Sequence, residues 1–188
     1  HELEETLEGG IATLTLNRPA SRNALTRDML NQMAQTLSRW AQDPAVRLVV
    51  VTGKGGAFCA GGDVKGFANR AADTSQAPSF EQSAQSLRAV MEVSRWLHEM
   101  PKPTLAVISG PAAGAGLSMA LACDMRIAAS DAVFSVPAGR LGLGYRYSAM
   151  KNLVDLIGPG AAKDLFFTAR RIDAIEAHRL GLVSRIAS

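Results

Sequence analysis

Residues 56–66 read "GAFCAGGDVKG" and residues 109–118 read "SGPAAGAGLS". Both runs are nearly bare of large side chains, and each leads into a stretch with helical character. A glycine-rich turn lets a ligand approach the backbone closely, and a helix start leaves N–H groups without intrahelical partners. Two such runs, brought together in the fold, would aim amide donors at one oxygen atom. Either run alone reads equally well as a tight turn with close helix packing.

The flanks of the runs decide the fold class. "VRLVVVTG" (46–53) and "PKPTLAVISG" (101–110) are continuous apolar runs ending in glycine, as strands buried on both faces would be. Each is followed by a glycine run and then a helix. The first helix carries Phe80, Ala84, Leu87, Val90, Met91 and Leu97 on one face, after a small, polar and mobile segment, 69–79. The second is the apolar "GLSMALAC" (116–123). Upstream, "ELEETLE" and "IATLTLN" form a strand pair turning at Gly9-Gly10. Thr26 then caps a helix whose apolar face is Met29, Leu30, Met33, Leu37, Trp40 and Ala41. Downstream come short strands in "DMRIAA", "AVFSV" and "LVSRI", with helices over roughly 147–157, 160–168 and 173–180. Strand, glycine run and helix recur without clear sequence repetition. The reading is an α/β chain forming a single domain, 1–188, with no linker to divide it.

Composition narrows the function. The chain is 47% apolar and 20% charged, with a formal charge of +3 spread along its length. Aromatic residues are few and do not interleave with basic ones, which argues against nucleic-acid binding. A basic pocket for a small phosphorylated ligand stays open. Cys59 and Cys123 are two cysteines far apart in apolar segments, expected as buried free thiols. No spacing suggests a metal site. No apolar run approaches the ~18 residues of a membrane span, and no signal segment is evident, so a cytoplasmic protein is expected.

With the two runs placed, the chain resembles the enoyl-CoA hydratase/isomerase, or crotonase, family. Five pieces in order carry the likeness: "LNRPASRNAL", "FCAGGDVK", "KPTLAVISGPAAGAGLSMALACDMRIA", "FSVPAGRLGL" and "FFTARRIDAIEAHRLGLVSRI". The resemblance implies a spiral of ββα units that binds an acyl-CoA thioester, with CoA as part of the substrate and no separate cofactor. It also implies a homo-oligomer, a trimer or dimer of trimers. The closing helical segment that helps family trimers assemble is expected to be missing or truncated here.

In the family, one backbone N–H from each glycine run points at the thioester oxygen; here those positions are Gly62 and Ala115. Preorganised amides of this kind stabilise an enolate oxygen by several kcal/mol, and a helix N-terminus adds favourable potential. Ala60, Gly61, Gly62, Asp63, Val64, Lys65 and Ala115 would form the CoA-binding turns. Asp63 would act there as a helix cap. Arg22 sits where some members set a basic side chain against CoA phosphate, and a guanidinium suits phosphate oxygens. Arg22 and Lys65 read equally well as solvated surface residues.

Hydratases of the family use two glutamates as general acid and base. Their positions here are Ser118 and Ala138, so both carboxylates are absent. In "LGLGYRYS", Tyr145 matches the pocket tyrosine of the family's methylmalonyl-CoA decarboxylases, although those enzymes carry a histidine where Gly62 stands. Tyr145 reads as well as a loop anchor. His98, His178 and Asp155 read as helix-surface residues. Three activities stay open: an acyl-CoA enzyme of unfixed reaction, a malonyl-type decarboxylase using Tyr145, and a catalytically silent acyl-CoA-binding or assembly protein.

Overall fold

The structure is a computed structural model that describes residues 1–62, 80–142, 144–145 and 147–187. Six strands form the larger sheet in the order β1 (Leu3–Glu8), β2 (Ile11–Leu16), β3 (Leu48–Gly53), β4 (Thr104–Ile108), β6 (Met125–Ala129) and β9 (Arg185–Ala187). β1 and β2 are antiparallel around the Gly9-Gly10 turn, where both φ angles are positive, and all other neighbours in this sheet are parallel. A smaller sheet holds β5 (Pro111–Ala113), β7 (Val133–Ser135) and β8 (Arg171–Asp173), the first pair parallel and the second antiparallel.

A 3-10 turn (Pro19–Ser21) and six α-helical runs complete the described chain: α1 (Arg27–Gln42), α2 (Phe80–Glu99), α3 (Ala115–Ala122), α4 (Ala138–Leu141), α5 (Tyr147–Thr168) and α6 (Ala174–Arg179). The α5 run breaks at Gly158, whose φ of 77° and ψ of 161° are not helical, just before Pro159. The two helices read from the sequence on either side of 158–159 are therefore present. No helix among the described residues is long and apolar enough to cross a membrane.

The chain winds as a spiral in which every turn visits both layers. β2 leads to Leu25 and α1; β3 leads to Cys59–Gly62 and then α2; β4 leads to β5 and α3; β6 leads to β7 and α4. Single parallel bridges extend the small sheet sideways through the earlier turns, Cys59 opposite Ala112 and Leu25 opposite Gly62. Hydrogen bonds mark each step: Cys59 N–H donates to Pro111 O (3.1 Å), Ala113 N–H to Cys59 O (2.9 Å), and Leu25 N–H to Gly61 O (2.8 Å). The small sheet was not legible as a unit, because its strands are three residues long and lie in different turns. β8, in particular, gives no strand signal.

One core joins the layers. Alternate strand residues (Leu14, Leu16, Val49, Val51, Ala106 and Ile108) are buried with Met29, Met33 and Leu37 of α1 and with Leu117 and Met119 of α3. Thr26 caps α1 by accepting from Met29 N–H at 3.2 Å. On α2 the buried stripe is Val93 and Leu97, with Val90 packed beside it, while Met91 is exposed. At about 100° per residue, Met91 lies some 200° around the helix from Val93, which turns it to solvent.

Asn23 ties the first turn to the second. Fully buried at φ 57°, it accepts from Arg18 N–H (2.8 Å), and its amide donates to Lys54 O (2.9 Å) and Ala57 O (2.7 Å). Asn tolerates this left-handed conformation better than other non-glycine residues. Asn23→Ala should cost about 2–4 kcal/mol, because it leaves buried backbone groups unpaired and adds left-handed strain. Urea titration of both chains measures that loss.

Candidate active site

The start of α3 meets the first glycine run through close approach of main chains. A Cβ on Gly61 would lie 3.0 Å from Ala113 O and 3.6 Å from Ala115 N. A Cβ on Gly116 would fall 2.5 Å from Cys59 O and 2.6 Å from Cys59 Cβ, which no packed structure tolerates without movement. Sequence reasoning called for small residues here, and their purpose is to let two spiral turns touch.

Register then aligns the two runs. Cys59 faces Ala112 in a parallel pair, and three residues on from each stand Gly62 and Ala115. Gly62 is half-buried at the end of its run. Ala115 is the half-buried first residue of α3, preceded by Gly114, which offers no side chain to cap the helix. The first-turn amides of a helix have no intrahelical acceptor, and the helix dipole makes that end electropositive.

Around the start of α3 lies a small cavity of about 10 Å³, lined by Gly114, Leu117, Ser118, Val136, Tyr145 and Leu153, among others. That is about the room one water occupies. Ser118 is half-buried on α3, and Ala138 is only 1% exposed at the start of α4. The Tyr145 hydroxyl comes within 3.5 Å of where a Gly114 Cβ would be, and its ring meets Phe166 edge-on at 5.5 Å. Burial raises its pKa above the ordinary tyrosine range, so the phenol stays protonated at neutral pH.

Residues 6–188 match the family model described as Enoyl-CoA hydratase/isomerase. The chain belongs to the enoyl-CoA hydratase/isomerase family. It is 38% identical over 180 residues to a crotonyl-CoA hydratase of Syntrophomonas wolfei and 36% identical over 180 residues to a short-chain-enoyl-CoA hydratase of Clostridium acetobutylicum. Each match covers 95% of this chain and 66% of the relative, so the chain spans just under two thirds of the length of these curated relatives. Among solved structures, an enoyl-CoA hydratase of Mycobacterium smegmatis superposes with TM-score 0.89 at 32% identity, and one from Bacillus anthracis with 0.87 at 31%. Both comparisons cover 100% of this chain and 70% of the other. The fold is crotonase-like.

Among the described residues, Gly114, Ser118 and Tyr145 line one small cavity near the start of α3, and Gly61, beside Gly62, approaches Ala115 N. Ala60 is exposed, and its N–H donates to Arg22 O at 2.9 Å, which ties Arg22 to the same loop. Arg22 is itself exposed with φ 51°. Asp63, Val64 and Lys65 lie outside the described residues. His98 and His178 are exposed, and the Asp155 carboxylate pairs with Lys151 on the surface of α5. No group of three His, Cys, Asp or Glu side chains among the described residues converges as metal ligands would.

Two residues escaped the sequence reading. Asn23 was hidden in an ordinary loop. Arg126 sits at an inward-facing strand position, and that alternation was the signal available for it. Cys59 and Cys123 are buried free thiols whose pKa values burial pushes up to about 12.

Two outcomes follow from this packing. Gly116→Ala should destabilise the chain by at least ~2 kcal/mol, the upper part of the usual overpacking range, because a backbone carbonyl is in the way; thermal unfolding reads it. At about pH 8 the native thiols should resist alkylation while the urea-unfolded chain labels at both, since only the thiolate reacts. Mass spectrometry counts the labels.

Proposed function

We propose that the chain is an acyl-CoA enzyme that seats a thioester carbonyl between the backbone N–H groups of Gly62 and Ala115. The observation that supports this reading is the parallel pairing of Cys59 with Ala112 together with the close approach of Gly61 to Ala115 N, which bring the two glycine runs together near the start of α3. Two amides there would stabilise negative charge on the thioester oxygen as an enolate forms. CoA would enter as part of the substrate, with Arg22, tied by its carbonyl to Ala60, within the loop that would meet it. The names of the relatives, two of them hydratases of crotonyl- and short-chain enoyl-CoA, support the substrate class.

The usual acid and base are missing at Ser118 and Ala138. A serine without an adjacent base is a poor proton acceptor, and alanine transfers none. Hydration of crotonyl-CoA should therefore be weak, since general acid and base groups each contribute about 10²–10⁴-fold. Loss of the conjugated thioester absorbance measures it, and robust turnover by the unaltered chain overturns this part of the reading. A Ser118→Glu, Ala138→Glu double variant restores the carboxylates. Ala138 is buried, so the second glutamate should cost about 1–3 kcal/mol of stability.

A second reading is favoured by Tyr145, whose neutral hydroxyl stands beside Gly114 and has no hydrogen-bond partner among the described residues. In a malonyl-type thioester, the Cα–carboxylate bond would break and CO2 would leave. The electron pair would pass to the thioester oxygen, and Cα would later take a proton from solvent. No base is needed, and Tyr145 would orient the departing carboxylate by hydrogen bonding. Incubation with crotonyl-CoA and malonyl-type esters, followed by mass analysis, separates the readings. CO2 release that falls at least tenfold in Tyr145→Phe supports decarboxylation; product formation from neither ester leaves a binding protein.

A further inference from the structure

Arg126 lies on β6 with only 4% of its surface exposed, opposite the buried Ala106 of β4 and two residues before the buried Ala128. Among the described residues its guanidinium forms no ion pair and its hydrogen-bond partners are main-chain carbonyls, with the Asp124 carboxylate acting on it at longer range. Nη1 donates to Cys123 O (2.6 Å) and more weakly to Ala120 O (3.4 Å), Nη2 reaches Asp124 O (3.5 Å), and Nε donates to Leu182 O (2.8 Å). Ala120 is in the last turn of α3, and Cys123 is its C-cap. The buried cation therefore closes the end of α3 opposite Ala115.

The electrostatics of this arrangement are specific. A helix carries about half a positive charge at its N-terminus and half a negative charge at its C-terminus. α3 has eight residues and spans about 12 Å, so in a weakly polar interior its negative pole opposes the positive one at close range. Burial pulls the Arg126 pKa down, but a guanidinium starts so high that it stays charged. Its charge offsets the negative pole. A second anchor at the same end is Asp124, which accepts from Thr104 N–H (2.7 Å) and Thr104 Oγ1 (2.9 Å) and whose N–H donates back at 2.8 Å; its carboxylate charge acts on Arg126 and adds to the negative pole that the guanidinium offsets.

We infer that Arg126 is a positioning residue for the acyl site: it clamps the C-terminal end of α3 and cancels that end's negative pole, so that the Ala115 amide is held in place and polarises a carbonyl more strongly. This rests on the acyl-CoA reading above. Arg126 touches no substrate and acts through the helix.

The test uses the 188-residue chain and acetyl-CoA labelled with ¹³C at the thioester carbonyl. Infrared difference spectra report how far binding lowers the carbonyl stretch, and calorimetry gives Kd. In Arg126→Gln the shift should shrink by about a third or more while Kd changes less than about threefold, because one pole is restored and the CoA contacts are untouched. Arg126→Lys keeps the charge without the fork and should fall between. Thr104→Val, which removes the hydroxyl bonds to Asp124 and changes no charge, should lower the melting temperature and leave the shift intact. A full shift in folded Arg126→Gln overturns the inference. So does a loss in Thr104→Val equal to that in Arg126→Gln, which would make the effect one of helix-end packing alone. Should Arg126→Gln fail to fold, an unchanged shift in Arg126→Lys overturns it. A bound carbonyl at its aqueous frequency in the unaltered chain defeats the acyl-site reading itself; a shift that survives in Arg126→Gln defeats only the role of Arg126.

Discussion

Where the second glycine run passes the first, there is no space for a single carbon atom between Gly116 and Cys59. A Cβ there would come within 2.7 Å of the Cys59 carbonyl, Cβ and Sγ together. That approach lets β5 pair beside residue 59 and brings α3 up against the preceding turn of the spiral. In that parallel pairing Cys59 stands opposite Ala112, and Gly61 approaches Ala115 N. Larger side chains in either run would separate the turns and the amides with them.

The backbone that makes this contact must be secured by groups other than side-chain packing, since the runs have so little to pack. Asn23 does so from the first turn, satisfying three backbone groups around residues 18, 54 and 57. Arg126 and Thr104 do so at the far end of α3. All three are buried polar residues whose hydrogen bonds go mostly to the main chain. Buried polar groups cost stability unless paired, and here pairing converts that liability into fixed loop geometry. Apolar packing then fills in around them.

Family membership and chemistry separate at this site. What the chain shares with the family is the crotonase-like spiral. Ser118 on α3 and Ala138 at the start of α4 carry no carboxylate. A scaffold that stabilises a thioester oxygen through main-chain amides serves several reactions, and the side chains facing the carbonyl select among them.

The sequence by itself determined much of this. The hairpin at Gly9-Gly10, the Thr26 cap, the strands β3 and β4 and the helix break at 158–159 are written in local pattern and turn chemistry, although β3 and β4 bury only alternate residues and Val107 is exposed, not both faces as their continuous apolar runs suggested. Their causes act over a few residues, so a linear reading suffices. The two glycine runs were also visible, as was the lack of carboxylates at 118 and 138. Tertiary structure decided what those runs do to each other. The small sheet is assembled from strands of three residues and single bridges between distant turns, with no period long enough to read. Arg126 gained Leu182 O as a partner, and Tyr145 its place beside Gly114, from chain segments far away in sequence. Burial and pairing across turns depend on register between strands, a relation between segments that neither segment encodes alone.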